Sequence, residues 1–282
     1  MAKHNMVNIR HTLVATFFSL LVGCSSSKPP APPQNLDTLD QVQGLQADKT
    51  LTKAKGMTEI REQAIKEAAL STGAQAGLAY RAKQINAMLD QKASYLDYTF
   101  NFNQLLMDHN VLPPVLVEGD NSLNLDNDTT IRIADRTYQI ISQARFVTTP
   151  PTWRDYLVST YTKPEAPDNS LLPENAKERD AWKNFSEQGW KQGIQQAEDM
   201  YDQNLSRLKR DYAGMIRYKF LLAQHMVSAP YVSRTDMGIT GGGSDMRVND
   251  QILRITELPS LQANSKTWKP IISQQPTPPT SP

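Results

Sequence analysis

The strongest constraint on the fold is a long segment from Pro173 to Met226, in which no proline follows the first position. In its second half, apolar residues recur at alternating spacings of three and four, the repeat of a single helix face, with Lys219 as the one interruption. Pro173 suits the first turn of a helix, where its missing N–H would have no helical partner. The pattern predicts a very long helix whose apolar stripe packs in a core in preference to forming an exposed partner groove: Ala197, Tyr201, Leu205, Leu208, Tyr212, Met215, Leu222 and Met226.

A second helix is predicted over residues 59–91, behind a suitable N-cap at Thr58. Ala, Leu, Glu, Lys and Gln dominate this segment, and proline is absent from it. Gly73 and Gly77 lie four residues apart, so another helix or strand can approach the backbone closely on their face. In a bilayer this spacing favours helix dimerisation, but charged residues nearby exclude a membrane span. We therefore predict close packing in the protein core, with an apolar stripe of Leu78, Ala82, Ile85 and Leu89.

Short segments rich in β-branched and aromatic residues predict strands at 115–117, 131–133, 138–141, 231–233, 246–248 and 252–255. The Val-Asn-Asp sequence before Ile252 predicts a tight turn, and the glycine-rich residues 238–244 predict a flexible one. Helices and strands occur in separate runs instead of alternating along the chain. This order indicates an α+β fold of long helices and short antiparallel strands, not a parallel sheet.

Two parts of the chain repeat one another at an offset of 115 or 116 residues. Both contain Leu-Leu-x-x-His-x-Val-x-x-Pro, beginning at Leu105 and at Leu221. Chance similarity of two amphipathic segments accounts for the leucines, but poorly for His, Pro, Asp and Trp together. We predict a tandem duplication, each half supplying a helix that ends in this pattern, a strand, a hairpin and a tryptophan. The later matches are Ile131-Arg132-Ile133-x-Asp135 with Met246-Arg247-Val248-x-Asp250, Ile140 with Ile255, and Thr152-Trp153-Arg154 with Thr267-Trp268-Lys269.

The only cysteine, Cys24, follows a short N-terminal leader. Lys3 and Arg10 precede an apolar stretch from Thr12 to Val22 that is too short for a bilayer-spanning helix of about 20 residues but typical of a secretory signal peptide. Leu21-Val22-Gly23-Cys24 resembles the bacterial lipobox more than an ordinary cleavage site or a buried cysteine. We therefore expect cleavage before Cys24 and lipidation of its thiol, because several acyl chains hold a protein at a membrane where one holds it only marginally.

Ser25 follows the cysteine, and by the usual Gram-negative sorting pattern this favours the outer membrane with the body in the periplasm. A serine- and proline-rich stretch then gives way to polar sequence with scattered apolar residues, which predicts a flexible tether. The predicted organisation is a signal peptide at 1–23, a lipidated cysteine and tether at 24–56, a periplasmic α+β domain at 57–273 with halves at about 57–157 and 173–270, and a proline-rich disordered tail at 274–282.

Charge and cysteine content argue against a nucleic-acid-binding protein and against a disulfide-stabilised one. The chain has 30 basic and 29 acidic residues, and removing Lys3 and Arg10 with the leader leaves 28 against 29, a net charge of −1. No direct nucleic-acid partner is expected from this balance, because such a surface needs concentrated positive charge. With Cys24 used for lipidation, no thiol remains for a disulfide, so stability must come from the core.

The histidines and acidic residues outside the leader predict no metal site. His109 and His225 each stand near a predicted helix C-terminus, where capping of terminal carbonyls is preferred over metal binding. Asn124-x-Asp126-x-Asp128 resembles the opening of a calcium loop, but Thr129 stands where that loop requires glycine. We therefore predict no metal and no cofactor.

Glu118 and Asp120 are the best candidates for a catalytic pair, as two carboxylates can hydrolyse a glycan when they are correctly separated. A solvated loop is the simpler interpretation of this stretch, and neither a nucleophile elbow nor a zinc-protease motif is present. We therefore predict that the protein is not an enzyme and has no catalytic residues.

Several long strings in the chain resemble the DotC family of lipoproteins, which includes the Dot/Icm component and the related TraI lipoprotein of IncI-type plasmids. The similarity covers nearly all of Leu36 to Ile272. The strings are GAQAGLAYRAKQIN from Gly73, LPPVLVEG from Leu112, IRIADRTY from Ile131, WRDYL from Trp153 and LLAQHMVSAPYV from Leu221.

The resemblance implies an outer-membrane subunit in the core complex of a type IVB secretion or conjugation system, with Cys24 as the lipid anchor. It implies a DotD-like lipoprotein and a DotH-like core subunit as partners, and it assigns no catalytic residue. A cell-wall-binding or cell-wall-hydrolysing lipoprotein, with Glu118 as a catalytic candidate, is the alternative. Because aromatic residues and arginine dominate binding hot spots, the candidate partner-binding residues are Trp153, Arg154, Tyr156, Trp182 and Trp190.

Overall fold

The computed structural model describes residues 36–48, 59–162 and 164–269, with only the backbone described at Asp126. The expected signal peptide, Cys24 and the proline-rich tail lie outside the described residues. Among the residues described, long helices and two-stranded antiparallel sheets confirm the α+β class. Within the same ranges no helix combines the length and the apolar character needed to cross a bilayer.

Two of the α-helices, α2 and α5, are much longer than the others. The described α-helices are, in chain order, α1 (Leu39–Gln43), α2 (Glu59–Gln91), α3 (Ala93–Thr99), α4 (Trp153–Leu157) and α5 (Ala176–Ala223). Asn175 caps α5 by accepting a hydrogen bond from the Glu178 backbone N–H. Both predicted long helices are therefore present, and the second begins three residues after Pro173.

The strands form three separate two-stranded antiparallel sheets. They are β1 (Val111–Leu112) with β4 (Arg145–Phe146), β2 (Val115–Asn127) with β3 (Thr130–Ser142), and β5 (Tyr231–Gly242) with β6 (Asp245–Glu257). We call the β2–β3 pair hairpin 1 and the β5–β6 pair hairpin 2.

The hairpin strands are longer than predicted. The expected tight turn at Val-Asn-Asp is wrong, because residues 248–250 lie inside the continuous strand β6. Asn249 instead lies at a shift in the pairing register of β5 and β6, with a left-handed backbone φ of 58°. The turn falls at Gly243-Ser244, within the glycine-rich segment that was predicted to turn.

Helices α2 and α5 pack against each other along most of α2 at backbone contact distance. A Cβ added at Gly73 would overlap the Ser186 carbonyl, and one at Gly77 would overlap the Trp190 carbonyl. Gly189 and Gly193 of α5 meet the α2 backbone in the same way, at Leu70 and Ala74. The predicted close approach at Gly73 and Gly77 is therefore confirmed, and glycine is required because any side chain would separate the two helices.

Residues 36–48 correct the predicted tether. Leu36, Val42 and Leu45 are buried against α2 and α5, and the Trp182 indole N–H donates a 2.8 Å hydrogen bond to the Val42 carbonyl. The apolar residues Leu36, Leu39, Val42 and Leu45 recur every three positions and are not scattered, and Leu39 and Val42 lie on the same face of α1. The tether prediction is therefore wrong for residues 36–48.

An ion pair joins the beginnings of α2 and α5. Arg61 donates to both carboxylate oxygens of Glu178, at 2.9 and 3.1 Å, and pairs with Glu174 at 2.9 Å. The Glu178 side chain is completely buried. Burial alone would raise the pKa of Glu178, but the Arg61 hydrogen bonds and the Glu174 backbone N–H hold the pKa below its ordinary value. The buried carboxylate therefore stays ionised.

The two hairpins correspond residue by residue at the predicted offset. Leu116 pairs with Ile140 in hairpin 1, and Val232 pairs with Ile255 in hairpin 2. Both hairpins have a register shift immediately before that pair. Below each hairpin the same bridge recurs, between Val111 and Phe146 in the first half and between Val227 and Leu261 in the second. These correspondences support the duplication for the hairpin part of each half.

The helical part of the two halves differs. The second Leu-Leu-x-x-His sequence ends the continuous helix α5, as expected. The first copy does not end a long helix, because the chain leaves α3 at Thr99 and passes through 3-10 turns at Phe102–Leu105 and Asp108–Asn110. The prediction of an equivalent helix in each half is therefore wrong at this point.

Candidate interaction surface

We call the α2–α5 pair, with the elements packed on it, the body. The last third of α5 holds the base of hairpin 1 to this body. Gly214 of α5 lies against Val115 and Leu116, where a Cβ would overlap both. About one helical turn further along α5, Arg217 donates to the Glu118 carboxylate at 3.0 Å and to the Leu116 carbonyl at 3.2 Å. Tyr218 and Leu116 are fully buried in the small core beneath. The hairpin base is therefore rigidly placed.

Glu118 is the charged centre of this base. The Tyr138 hydroxyl donates to it at 2.9 Å, and Arg217 and the more distant Arg136 face it. The Tyr138 hydrogen bond, assisted by Arg217 and opposed by partial desolvation, holds the pKa of Glu118 below its ordinary value. A carboxylate kept ionised by the Tyr138 hydroxyl and Arg217 is poorly suited to be the general acid of a glycan-hydrolysing pair. Its contacts are those of a structural clamp.

Beyond residue 119 hairpin 1 extends away from the body and carries an apolar face. Leu123 pairs with Ile133 and Leu125 pairs with Ile131, so the four side chains lie on the same side of the two strands. They are 68%, 69%, 63% and 52% exposed, respectively. Large exposed apolar groups clustered on one face are typical of a protein interaction site.

Hairpin 2 carries the equivalent face. Ile239 pairs with Val248, and Gly241 pairs with Met246. These residues correspond by the internal offset to the four apolar residues of hairpin 1, with glycine in place of Leu125. Ile239 and Met246 are each 69% exposed, and Val248 is 60% exposed. We call the residues Leu123, Leu125, Ile131 and Ile133, together with Ile239, Val248 and Met246, the hairpin faces.

Both hairpins are two-stranded sheets, so their outer edges pair with no further strand among the described residues. An isolated two-stranded hairpin is only marginally stable in water, and open strand edges readily pair with a strand from another chain. Apolar faces and open edges on projecting hairpins therefore provide two means of binding a protein partner. Neither depends on a catalytic group.

Three of the five candidate partner-binding residues are in the core, so the prediction is wrong for them. Trp153, Trp182 and Trp190 are all buried, and the Trp153 indole N–H donates to Asp97 at 2.7 Å. Trp190 packs at 5.1 Å from the ring of Tyr80 on α2. Indole rings offer more apolar area than most side chains, but the area of these three rings is already buried inside the folded monomer.

Partner binding by the remaining two candidates, Arg154 and Tyr156, stays a prediction. Arg154 is partly exposed, pairs with Asp97 at 2.9 Å and lies over the Trp153 ring. Tyr156 is half-buried, stacks on Phe102 and donates to Asp211 at 3.2 Å. Burial raises the pKa of Tyr156 to about 12, so its hydroxyl stays protonated. Both side chains already have partners within the body.

The two histidines mark equivalent turns. His109 and His225 both have left-handed backbones, with φ of 60° and 61°. At the end of α5, the backbone N–H groups of His225 and Met226 donate to the Leu222 and Leu221 carbonyls, which is the Schellman pattern with histidine where glycine is usual. The predicted capping at His225 is therefore made by the backbone. Among the described residues, no His, Cys, Asp and Glu cluster is arranged to hold a metal ion.

The sequence reasoning missed the hairpin faces as a site, although their signal is present. Leu-x-Leu at 123–125 and Ile-x-Ile at 131–133 alternate on either side of Asp128-Thr129, a pattern that predicts a hairpin with one apolar face. Alternation alone does not say whether such a face is buried. The exposure follows from where α5 ends its contact with the hairpin base.

Comparison with known protein families shows to which family the chain belongs. Residues 59–270 match the family described as type IV secretory system, conjugal DNA-protein transfer. This range includes α2, α5 and both hairpins, and the chain belongs to that family. No curated protein sequence matches the chain. The protein is thus associated with type IV secretion and conjugation.

Proposed function

We propose that this protein is a DotC-like lipoprotein subunit of the outer-membrane core complex of a type IVB secretion or conjugation system. Family membership supports the secretion and conjugation setting, and the lipobox sequence ending at Cys24 supports an outer-membrane anchor. In this proposal the α2–α5 body is a fixed structural piece. The protein places partner subunits at the membrane and catalyses no reaction.

The hairpin faces are the observation that carries the structural part of this proposal. They are exposed, apolar and repeated at equivalent positions of both hairpins. A monomer gains nothing from keeping such faces in water, whereas partner subunits would bury them and complete the strand edges. We propose DotD-like and DotH-like subunits as the proteins that cover them.

The interaction is tested with Ile133→Asp and Val248→Asp, which place a charge at equivalent points of the two faces. We expect each variant to remain folded and membrane-anchored but to lose partner subunits when the complex is extracted and purified by a tag. Asn124→Asp is the matched control, because it adds the same charge to the opposite face of hairpin 1. Undiminished recovery of all partners with both face variants would refute the role of the hairpin faces.

The anchor is tested separately with Cys24→Ala. The variant should lose lipid labelling and leave the outer-membrane fraction, with loss of secretion or conjugal transfer. A soluble Cys24→Ala protein that supports full transfer would refute the anchoring role while leaving the hairpin result untouched.

A further inference from the structure

The last third of α5 carries an apolar stripe on the side that faces away from the core. Its members recur at spacings of three and four on one helix face: Ala213, Ile216, Phe220 and Ala223. Ile216 is 46% exposed and Phe220 is 53% exposed. Gly214 and Tyr218, on the opposite face of the same turns, are buried. The fold therefore uses one side of this part of α5 for its core and leaves the other side in water.

A second segment extends this surface past the end of α5. The backbone N–H of Lys269 donates to the Gln224 carbonyl at 2.9 Å, so the residues around Lys269 lie against the helix end. Trp268 is 41% exposed, and its indole N–H donates to the Gln262 carbonyl at 2.9 Å. Gln224 lies about one helical turn beyond Phe220, so an exposed aromatic ring is held near the end of the stripe.

Exposed lysines border this surface at both ends. Lys209 precedes Ala213 by about one helical turn, and Lys266 and Lys269 stand before and after Trp268. None of these three lysines has an ion-pair partner among the residues that the structure describes. We call Lys209, Ile216, Phe220, Lys266, Trp268 and Lys269 the α5 end surface.

Little negative charge opposes these lysines in the two segments that carry them. After Asp202, Asp211 is the only acidic residue of α5, and its carboxylate accepts from Arg210 at 2.8 and 2.9 Å. Residues 258–269 contain no acidic residue. Positive charge is therefore concentrated at the α5 end surface, although the chain as a whole is nearly neutral.

We propose that the α5 end surface binds the face of an anionic bilayer. Exposed Phe, Ile and Trp side chains bordered by basic residues are typical of helices that lie in the membrane interface, with the apolar face among the acyl chains. Tryptophan is enriched at the level of the headgroups. Lysine can bury its methylene stem along apolar groups while its ammonium reaches the lipid phosphates. Charge complementarity thus selects negatively charged lipid headgroups.

The identity of the cations favours a bilayer over a protein partner. Protein interfaces are enriched in arginine and depleted in lysine. The hairpin strands, which we propose bind protein subunits, contain arginine but no lysine. At the α5 end surface the unpaired cations are all lysines, whereas Arg210 and Arg217 nearby are paired with Asp211 and Glu118. The two surfaces therefore have different chemistry.

The test uses the chain from residue 24 onward with Cys24→Ser, so that no acyl group contributes to binding. Vesicles of three parts phosphatidylethanolamine to one part phosphatidylglycerol are compared with neutral phosphatidylcholine vesicles, and bound protein is measured by flotation. Each lysine near an anionic surface strengthens binding about fivefold. We therefore expect the anionic vesicles to bind at least about tenfold more tightly than the neutral ones, and added salt to weaken that binding.

Tryptophan fluorescence shows whether the surface enters the lipid. Trp153, Trp182 and Trp190 are buried, so a blue shift of the emission on vesicle binding reports on Trp268. Trp268→Phe should remove the shift. A shift that persists in Trp268→Phe would contradict insertion of this surface.

Two combined variants separate the apolar contribution from the charged one. Ile216→Ser with Phe220→Ser should weaken binding by about tenfold or more, because both apolar side chains are lost from the lipid contact. Changing Lys209, Lys266 and Lys269 together to glutamine should weaken binding and remove most of its salt dependence. All five positions are exposed, so circular dichroism should show unchanged folding.

The matched control changes Lys177, Lys183 and Lys191 to glutamine, which removes the same charge from the first third of α5. This control should bind vesicles as the unsubstituted chain does. Equal weakening by the two lysine triples would show that only net charge matters and would overturn the proposal. Equal binding of the unsubstituted chain to anionic and neutral vesicles would also overturn it.

A protein partner at the same surface would give a different pattern. In that case the unsubstituted chain would not bind vesicles, and Ile216→Ser with Phe220→Ser would remove a subunit from the extracted complex. That outcome would overturn membrane binding while leaving the role of the hairpin faces intact, because the hairpin variants are scored by recovery of partner subunits alone.

Discussion

The helical pair and the hairpins are built on opposite principles. Between α2 and α5, four glycines bring the two backbones into contact and leave no space for a side chain. In the hairpins, large apolar side chains such as Leu123 and Ile239 face outward with no partner in the described chain. Stability is therefore concentrated in the helical pair, whereas the hairpins retain apolar surface for binding.

The largest expected effect follows from Gly193→Ala in α5. The new Cβ would overlap the Ala74 carbonyl, so the helices must separate or bend. We expect a loss of about 3 kcal/mol or more in the free energy of unfolding, although alanine favours a helix by about 1 kcal/mol over glycine. Chemical denaturation monitored by circular dichroism measures the change.

Gly242→Ala in hairpin 2 is the matched control for Gly193→Ala. A Cβ at Gly242 would have nothing within 4 Å, so its effect should stay within about 0.5 kcal/mol. Equal destabilisation by the two substitutions would contradict the contrast between the helical pair and the hairpins.

A smaller effect is expected from Trp153→Phe. The substitution removes the indole N–H that donates to the Asp97 carboxylate at 2.7 Å, and it leaves a gap in the core where the larger buried ring was packed, so the free energy of unfolding should fall by about 2 kcal/mol. The equivalent Trp268→Phe removes a donor to the Gln262 carbonyl at an exposed site, so it should cost well under 1 kcal/mol. Thermal unfolding of both variants compares them, and a larger loss of stability from Trp268→Phe than from Trp153→Phe would contradict this prediction.

The pH dependence of the helical pair gives a third effect, centred on Glu178. Its pKa is lowered in the folded state, so its contribution is fully present above the unfolded value of about 4.3 and is lost as the pH falls through the folded value. Glu178→Gln should therefore cost about 1.5 kcal/mol at pH 7 and flatten the acid side of the stability profile. Denaturation between pH 3 and 7 measures this, and an unchanged acid slope in Glu178→Gln would contradict it.

The smallest effect on stability is expected from Ile133→Asp on hairpin 1. The side chain is mostly exposed, so replacing it should change the free energy of unfolding by less than about 0.5 kcal/mol. Coupled with the expected loss of partner subunits, this result would separate binding from folding. A loss of several kcal/mol would show that the face is already buried in the isolated protein.

The sequence by itself determined the α+β class, both long helices, the close contact at Gly73 and Gly77 and the end of the second long helix within its Leu-Leu-x-x-His sequence. These features depend on local pattern: helix periodicity, absence of proline, and glycine spacing. The internal offset also predicted that Ile131 and Met246 would occupy equivalent strand positions, because copies of one sequence pattern form the same hairpin.

Only the tertiary structure decided which apolar residues are covered. Trp153 and Trp268 occupy equivalent positions in the sequence, yet one is buried and the other partly exposed. Leu36 and Val42 follow a proline-rich stretch, yet their side chains pack into the core. Leu123 and Ile133 are large apolar residues of the kind that usually forms a core, yet their side chains remain exposed to water. Burial depends on which neighbours reach a residue across the fold, and here that is set by the length of α5 and by where each hairpin leaves it.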